Sequence, residues 1–152
     1  MVTIKFYNES HSEPLAIILR NDTKLQQSMG SNFLGSTEDF HKKTTEWINK
    51  TNSFTYSIVS DDTPIGLISL SNYNPNNKTA RIGYWISSEY WNREVTSTAF
   101  NNLLEVAKSK SIKTVSSHVE NDNIASMKIW DKHNCTKRPY KKGLTECAIN
   151  LS

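Results

Sequence analysis

Arg81-Ile82-Gly83-Tyr84-Trp85-Ile86-Ser87-Ser88-Glu89-Tyr90-Trp91 is the stretch at which the chain changes period. Residues 79–86 read as a strand, and beyond Trp91 the side chains Val95, Ala99, Phe100, Leu103, Leu104 and Ala107 recur at helical spacing. The stretch therefore predicts a strand, a loop, and a helix over about 95–109 whose other face carries Asn101, Glu105 and Lys108. Upstream, Phe54, Tyr56 and Ile58 alternate with Thr55, Ser57 and Val59, and residues 65–70 form the next apolar run. Asp61-Asp62-Thr63-Pro64 and the polar residues 72–78 with Pro75 supply turns, so three strands with short connections predict an antiparallel meander.

Downstream, residues 112–119 read as a strand, and a strand, helix and strand of this length predict a right-handed parallel crossover. A last helix is expected over 121–133 with Ile124, Met127 and Trp130 on one stripe, then a turn at Lys142-Gly143 and a strand over 144–151. At the other end, Val2, Ile4 and Phe6 predict a strand over 2–7 with one buried face. Ser12-Glu13-Pro14 opens a short helix carrying Leu15, Ile18 and Leu19 that ends near Asn21-Asp22. Ser36 and Asp39 make a capping box for a helix over 37–50 with Phe40, Trp47 and Ile48. The order gives an α+β fold with helices packed on the sheet, and with no internal repeat or low-complexity linker residues 1–152 are expected to form a single domain.

Composition narrows the function classes. A chain of 152 residues that is 36% hydrophobic, 22% charged and 10% aromatic is too apolar for a disordered segment. The longest aliphatic run, Leu15 to Leu19, is far short of the roughly 20 residues that span a bilayer. MVTIKFYNES lacks the features of a secretory signal, so a cytoplasmic protein is expected. Cys135 and Cys147 form no CxxC pair, the four histidines have no metal-ligand spacing, and no metal is expected. The net charge is +3, and Lys128, Lys132, Lys137, Arg138, Lys141 and Lys142 crowd into the last quarter, which favours an anion or is simply a solvated face. No recognition-helix or aromatic-basic motif supports direct nucleic-acid binding.

Chemistry is concentrated around the opening stretch. A loop that opens a long helix offers unpaired N–H groups and the positive end of the dipole, which together hold a diphosphate. The alternative is that Tyr84 and Trp85 merely pack the two faces of a sheet.

Pro64-Ile65-Gly66, Ile82-Gly83-Tyr84-Trp85-Ile86, Glu89-Tyr90-Trp91, Asn123-Ile124-Ala125-Ser126 and Lys132 together resemble the GNAT acetyltransferases, in particular the RimJ/RimL-type ribosomal-protein N-acetyltransferase branch. The resemblance runs from about residue 2 to 152. It implies a mixed, mainly antiparallel sheet with a parallel, splayed strand pair and helices on both faces. It also implies acetyl transfer from acetyl-coenzyme A (acetyl-CoA) to a primary amine on a protein N-terminus or a small molecule, a ribosomal protein being one candidate acceptor. By the same resemblance, Ile86 and Ser87 offer backbone groups to the pantetheine arm, and Asn92, Arg93, Glu94, Val95, Thr96 and Ser97 face the diphosphate. Asn123 and Ser126 meet the cofactor arm, with Ser126 placed to protonate the departing thiolate.

Three positions depart from the family pattern. Glu94 stands where the diphosphate loop carries its central glycine. A carboxylate about 4 Å from a phosphate would cost roughly 4 kcal/mol at an effective dielectric of 20, whereas one turned to solvent would cost about 1 kcal/mol or less. If Glu94 closes the loop, the chain is instead a non-catalytic GNAT-like binding module. Arg81 replaces a frequent glutamate base, which leaves Glu120 as the leading base and His118 as another candidate. Asn134-Cys135 replaces Gly-Phe, and Asn134 can still take a left-handed cap.

Overall fold

The structure, a computed structural model, describes residues 1–151; Ser152 lies outside them. Seven strands form one sheet in the order β1-β2-β3-β4-β5-β7-β6: β1 Val2–Phe6, β2 Phe54–Ser60, β3 Thr63–Asn74, β4 Thr79–Ile86, β5 Thr114–Glu120, β6 Thr136–Pro139 and β7 Leu144–Asn150. The helices are α1 Ser12–Asn21, α2 Thr23–Met29, α3 Thr37–Lys50, α4 Val95–Ser109 and α5 Ile124–Asp131. All neighbouring strands run antiparallel except β4 and β5, which are parallel, as a strand-helix-strand connection through α4 requires.

Helices cover both faces of the sheet. On one face Ile68, Leu70, Ala80, Ile82 and Ile86 pack with Phe100, Leu103 and Ala107 of α4 and with Trp130 of α5, and Phe100 meets the Trp130 ring edge-on at a centroid distance of 5.2 Å. On the other, Leu15 and Ala16 of α1 and Phe40 of α3 form a smaller cluster against Leu67 and Trp85. Successive strand residues point to opposite faces, so Trp85 belongs to the second cluster while its neighbours Tyr84 and Ile86 pack with the first.

The predicted elements recur with four adjustments. β3 extends to Asn74, four residues beyond the expected strand end at residue 70, because Asn72 takes a left-handed backbone, φ 51°, inside the strand and the pairing with β4 shifts between Ser71 and Asn74. A further helix, α2, follows α1 directly: the Asp22 carboxylate accepts the Leu25 N–H at 3.1 Å, and Gly30 closes it at φ 71°. The last helix is shorter than 121–133, because Asn123 caps it and leaves residues 121–122 in a turn, and Ile124 is 59% exposed rather than on the buried stripe. An edge strand, β6, precedes the Lys142-Gly143 turn. Phe6 is likewise 59% exposed on the edge strand β1, where it stacks on Tyr56.

Several local expectations hold. Ser36 Oγ accepts the Asp39 N–H at 3.1 Å while the Asp39 carboxylate accepts the Ser36 N–H at 3.0 Å, closing the capping box of α3. Asn134 has φ 53°, the left-handed conformation expected after the last helix.

Candidate active site

β4 and β5 pair only through Thr79↔Thr114, Ala80↔Val115 and Arg81↔Ser116. β4 runs on to Ile86 along β3, while β5 runs on to Glu120 along β7. The two strands therefore splay, and Ile82–Ile86 keep one backbone edge unpaired by a strand. Gly66 on β3 holds the far end of β4 close: a Cβ there would lie 2.3 Å from the Trp85 carbonyl oxygen, so only glycine permits this approach.

The splay opens into a cleft of about 1040 Å³. Its walls include Ile86 and residues Tyr90 to Ser97 from the β4 side, Ser117 to Glu120 from β5, and Asn123, Ser126, Lys128 and Lys132 along α5 and its end. Of the residues singled out from sequence, Ile86, Asn92, Arg93, Glu94, Val95, Thr96, Ser97, Glu120, Asn123 and Ser126 are thus brought to one cleft. Ser87 is not among its walls: it is buried, its N–H donates to the Ile65 carbonyl at 2.8 Å, and its hydroxyl oxygen accepts the Glu89 N–H. The Ile86 carbonyl accepts the Trp91 indole N–H at 3.1 Å, which leaves one lone pair of that oxygen.

The loop into α4 keeps a glycine-like backbone without glycine. Asn92 has φ 63° and Glu94 φ 65°, both left-handed. Glu94 makes no side-chain cap, so the first-turn N–H groups of Val95, Thr96 and Ser97 sit uncapped at the cleft wall. The Glu94 side chain is 80% exposed and lies 3.6 Å from Lys132 Nζ, which also donates to Ser97 Oγ at 3.3 Å. The carboxylate thus leans outward onto a cation at the mouth. The loop is tied down from behind, where the Asp22 carboxylate accepts both the N–H and the hydroxyl of Ser88 at 2.7 Å. Burial acts to raise the Asp22 carboxyl, but the hydrogen bonds from Ser88 and Leu25 outweigh it and hold it below the usual carboxylate value.

Across the cleft, Asn123 Oδ1 caps α5 by accepting the Ser126 N–H at 3.1 Å, and the Ser126 hydroxyl is hydrogen-bonded to the Tyr84 hydroxyl. Tyr84 spans the splay from β4 to α5, and burial raises its phenol above the ordinary value, partly offset by the Ser126 bond. In the sequence Tyr84 stands as part of the strand motif or as sheet packing, with no role of its own; nothing in the local pattern tells which strand tyrosine will meet a helix forty-two positions away. Glu120 lies at the end of β5 on the cleft wall, and His118 two residues before it stacks on Tyr140 at 3.7 Å and sits 3.5 Å from Glu146. Arg81 stays within the paired part of β4.

A second cavity of about 380 Å³ lies on the opposite face of the sheet, between it and the early helices. Gly83, Tyr84, Trp85 and Met29 line both cavities, so the two meet at β4. This hollow has no counterpart in the sequence reading.

The comparisons with known proteins agree with this architecture. Residues 2–136 match the acetyltransferase (GNAT) domain. The chain belongs to the GNAT acetyltransferase family. A ribosomal-protein-serine acetyltransferase of Escherichia coli (strain K12) is 34% identical over 101 residues, covering 63% of this GNAT chain and 56% of that relative, so the chain matches little more than half of the relative's length. Among solved structures, a RimL ribosomal L7/L12 alpha-N-protein acetyltransferase in complex with coenzyme A superposes with a TM-score of 0.80 at 22% identity, over 99% of this chain and 96% of that one. A spermidine N-acetyltransferase SpeG chimera from Vibrio cholerae and hSSAT gives 0.80 at 13% identity, over 99% and 95%. At such identities these likenesses show the fold, which their differently named acceptors share. No helix among the described residues is long and apolar enough to cross a membrane, and they contain no cluster of three candidate metal ligands.

Proposed function

We propose that the chain moves an acetyl group from acetyl-CoA to a primary amine, with residues 1–152 acting as one transferase domain in the cytoplasm. The observation that carries the reading is the splay: β4 parts from β5 after Arg81 while staying paired with β3, and its free edge runs into the cleft that ends at the uncapped start of α4. An extended amide arm can add to such an edge, and a diphosphate suits a helix start flanked by cations, here Arg93, Lys128 and Lys132. Ile86 and its neighbours on β4 would hold the arm. Residues Asn92 to Ser97 would hold the diphosphate, and Asn123 and Ser126 would border the arm from α5. Ser87 would act by fixing the turn after β4. Acetyl-CoA supplies an activated thioester.

Within this reading Glu120 takes the proton that the attacking amine must lose, and Ser126 returns one to the departing sulfur through its hydroxyl, with Tyr84 holding that hydroxyl in place. The outward pose of Glu94 supports an open loop over a closed binding module. Protein N-termini, including those of ribosomal proteins, and small amines are the acceptor classes. Thermal unfolding with and without acetyl-CoA tests the cofactor step: at a hundredfold excess over Kd, stabilisation of about 2.7 kcal/mol would raise Tm by roughly 5–10 °C. No shift at millimolar cofactor would contradict the reading.

A further inference from the structure

The second cavity owes its shape to small side chains aligned across three strands. Thr55 pairs with Ser69, and Ser69 with Gly83, so a row of small residues forms a hollow on one face of β2, β3 and β4. A Cβ added at Gly83 would meet nothing within 4 Å and, by strand alternation, would point to the face that carries Trp85. The walls around the hollow are Phe33, Phe40, Trp47, Leu67 and Trp85. The one charged residue among the lining is cationic, Lys43, whose Nζ lies 5.6 Å from the Phe33 ring centre; no carboxylate lines the cavity. The Thr55 and Ser69 hydroxyls, 3.1 Å apart, bond to each other.

We propose that this cavity is the acceptor site and that it takes a small primary amine with an aromatic body and a single amino group, in the manner of an arylalkylamine. The inference rests on the transferase reading and deepens it. A volume of about 380 Å³ falls within the roughly 300–1,000 Å³ of small-molecule pockets. The aromatic walls suit a flat apolar group. A polyamine would bring a second ammonium into a site that offers no counter-charge and already holds Lys43. The apolar surroundings also favour the neutral, nucleophilic form of the amine over the ammonium. The junction at Gly83, Tyr84 and Trp85 leads from this cavity to the splayed cleft, so the amine and the thioester would meet at β4. There the nitrogen forms a bond to the acetyl carbonyl carbon and the carbon–sulfur bond breaks. One proton leaves the nitrogen, one returns to the sulfur, and the products are an N-acetylamine and a free thiol.

The test measures thiol release with saturating acetyl-CoA for 2-phenylethylamine, spermidine and a short peptide beginning with serine. The expected result is a kcat/KM for 2-phenylethylamine at least tenfold above both others. Preference for spermidine or the peptide, or no use of 2-phenylethylamine, would overturn the inference while thermal stabilisation by acetyl-CoA leaves the transferase reading standing. Absence of that stabilisation would bring down both. Two variants add independent readouts. Gly83→Leu, which fills the hollow from its floor, is expected to raise the KM for 2-phenylethylamine at least tenfold, and an unchanged KM contradicts the assignment. Lys43→Glu, an exposed change that spares the core, is expected to raise kcat/KM for spermidine relative to 2-phenylethylamine by about tenfold. An unchanged ratio also counts against it.

Discussion

Glu94 occupies a backbone conformation that favours glycine and stands in the loop proposed to hold the diphosphate, yet its side chain turns to solvent and to Lys132. An exposed pair of this kind contributes at most about 1 kcal/mol. Replacing Glu94 by Gly should therefore change the acetyl-CoA Kd by less than about fivefold in a calorimetric titration. Tightening by a hundredfold or more would mean that the carboxylate opposes the phosphates directly. Ser126 presents the converse case, a side chain whose place matters more than its exposure. Its hydroxyl is held by Tyr84, so Ser126→Ala is expected to lower kcat by about a hundredfold, the usual scale of a lost general acid, with cofactor Kd within threefold. Tyr84→Phe should follow in the same direction with a smaller loss, since it frees the hydroxyl without removing it. Steady-state kinetics on both variants separates a catalytic hydroxyl from one that merely packs: for the latter, kcat would not move.

At the scale of elements, the β3–β4 contact and the α2 cap set the cleft. Gly66→Ala places a Cβ against the Trp85 carbonyl and the Ile86 Cα, and overpacking there should destabilise the fold by about 1–3 kcal/mol in urea unfolding. Asp22 ties the α1–α2 junction to the loop after β4, and its carboxyl is held below the ordinary value in the fold. Its contribution is therefore complete above the unfolded value of about 4 and fades as pH falls through the lower folded value. Asp22→Asn should cost about 1–2 kcal/mol at pH 7, and the gap between wild-type and variant stability in urea unfolding should narrow progressively as pH falls below about 4; a gap that does not change with pH would contradict the assignment. The elements that were legible from sequence are those whose burial leaves a period: β2, β4 and α4 recur within a residue of expectation because each lays a regular apolar pattern against the core. α2 was missed although Asp22 and Gly30 flank it, because it buries only Leu25 and so leaves no stripe. β6 is exposed at every position, and its existence depends on pairing with β7 rather than on its own residues. The cleft was legible through a family resemblance, whereas the hollow on the other face arises from the register of three strands, which no single segment encodes.

Across the whole molecule, one sheet separates two spaces: a larger cleft with Arg93, Lys128 and Lys132 among its walls on one face and a smaller aromatic hollow on the other, joined where β4 has parted from β5. The basic tail noted in the sequence is divided between these roles and internal pairing. Lys128 and Lys132 line the cleft, while Lys137 pairs with Asp131 and Arg138 with Glu146. In the proposed reading, the separation would let a thioester carrier enter from one side and an amine from the other, so that carbonyl carbon and nitrogen would meet at the same strand. The most direct test is a crystal structure of the chain grown with acetyl-CoA. The account predicts the pantetheine amides bonded to the free edge of Ile82–Ile86 and the diphosphate at the N–H groups of residues 95–97, with the acetyl group turned toward Gly83. Cofactor bound elsewhere, or a cleft closed by the approach of β5 to β4, would contradict it.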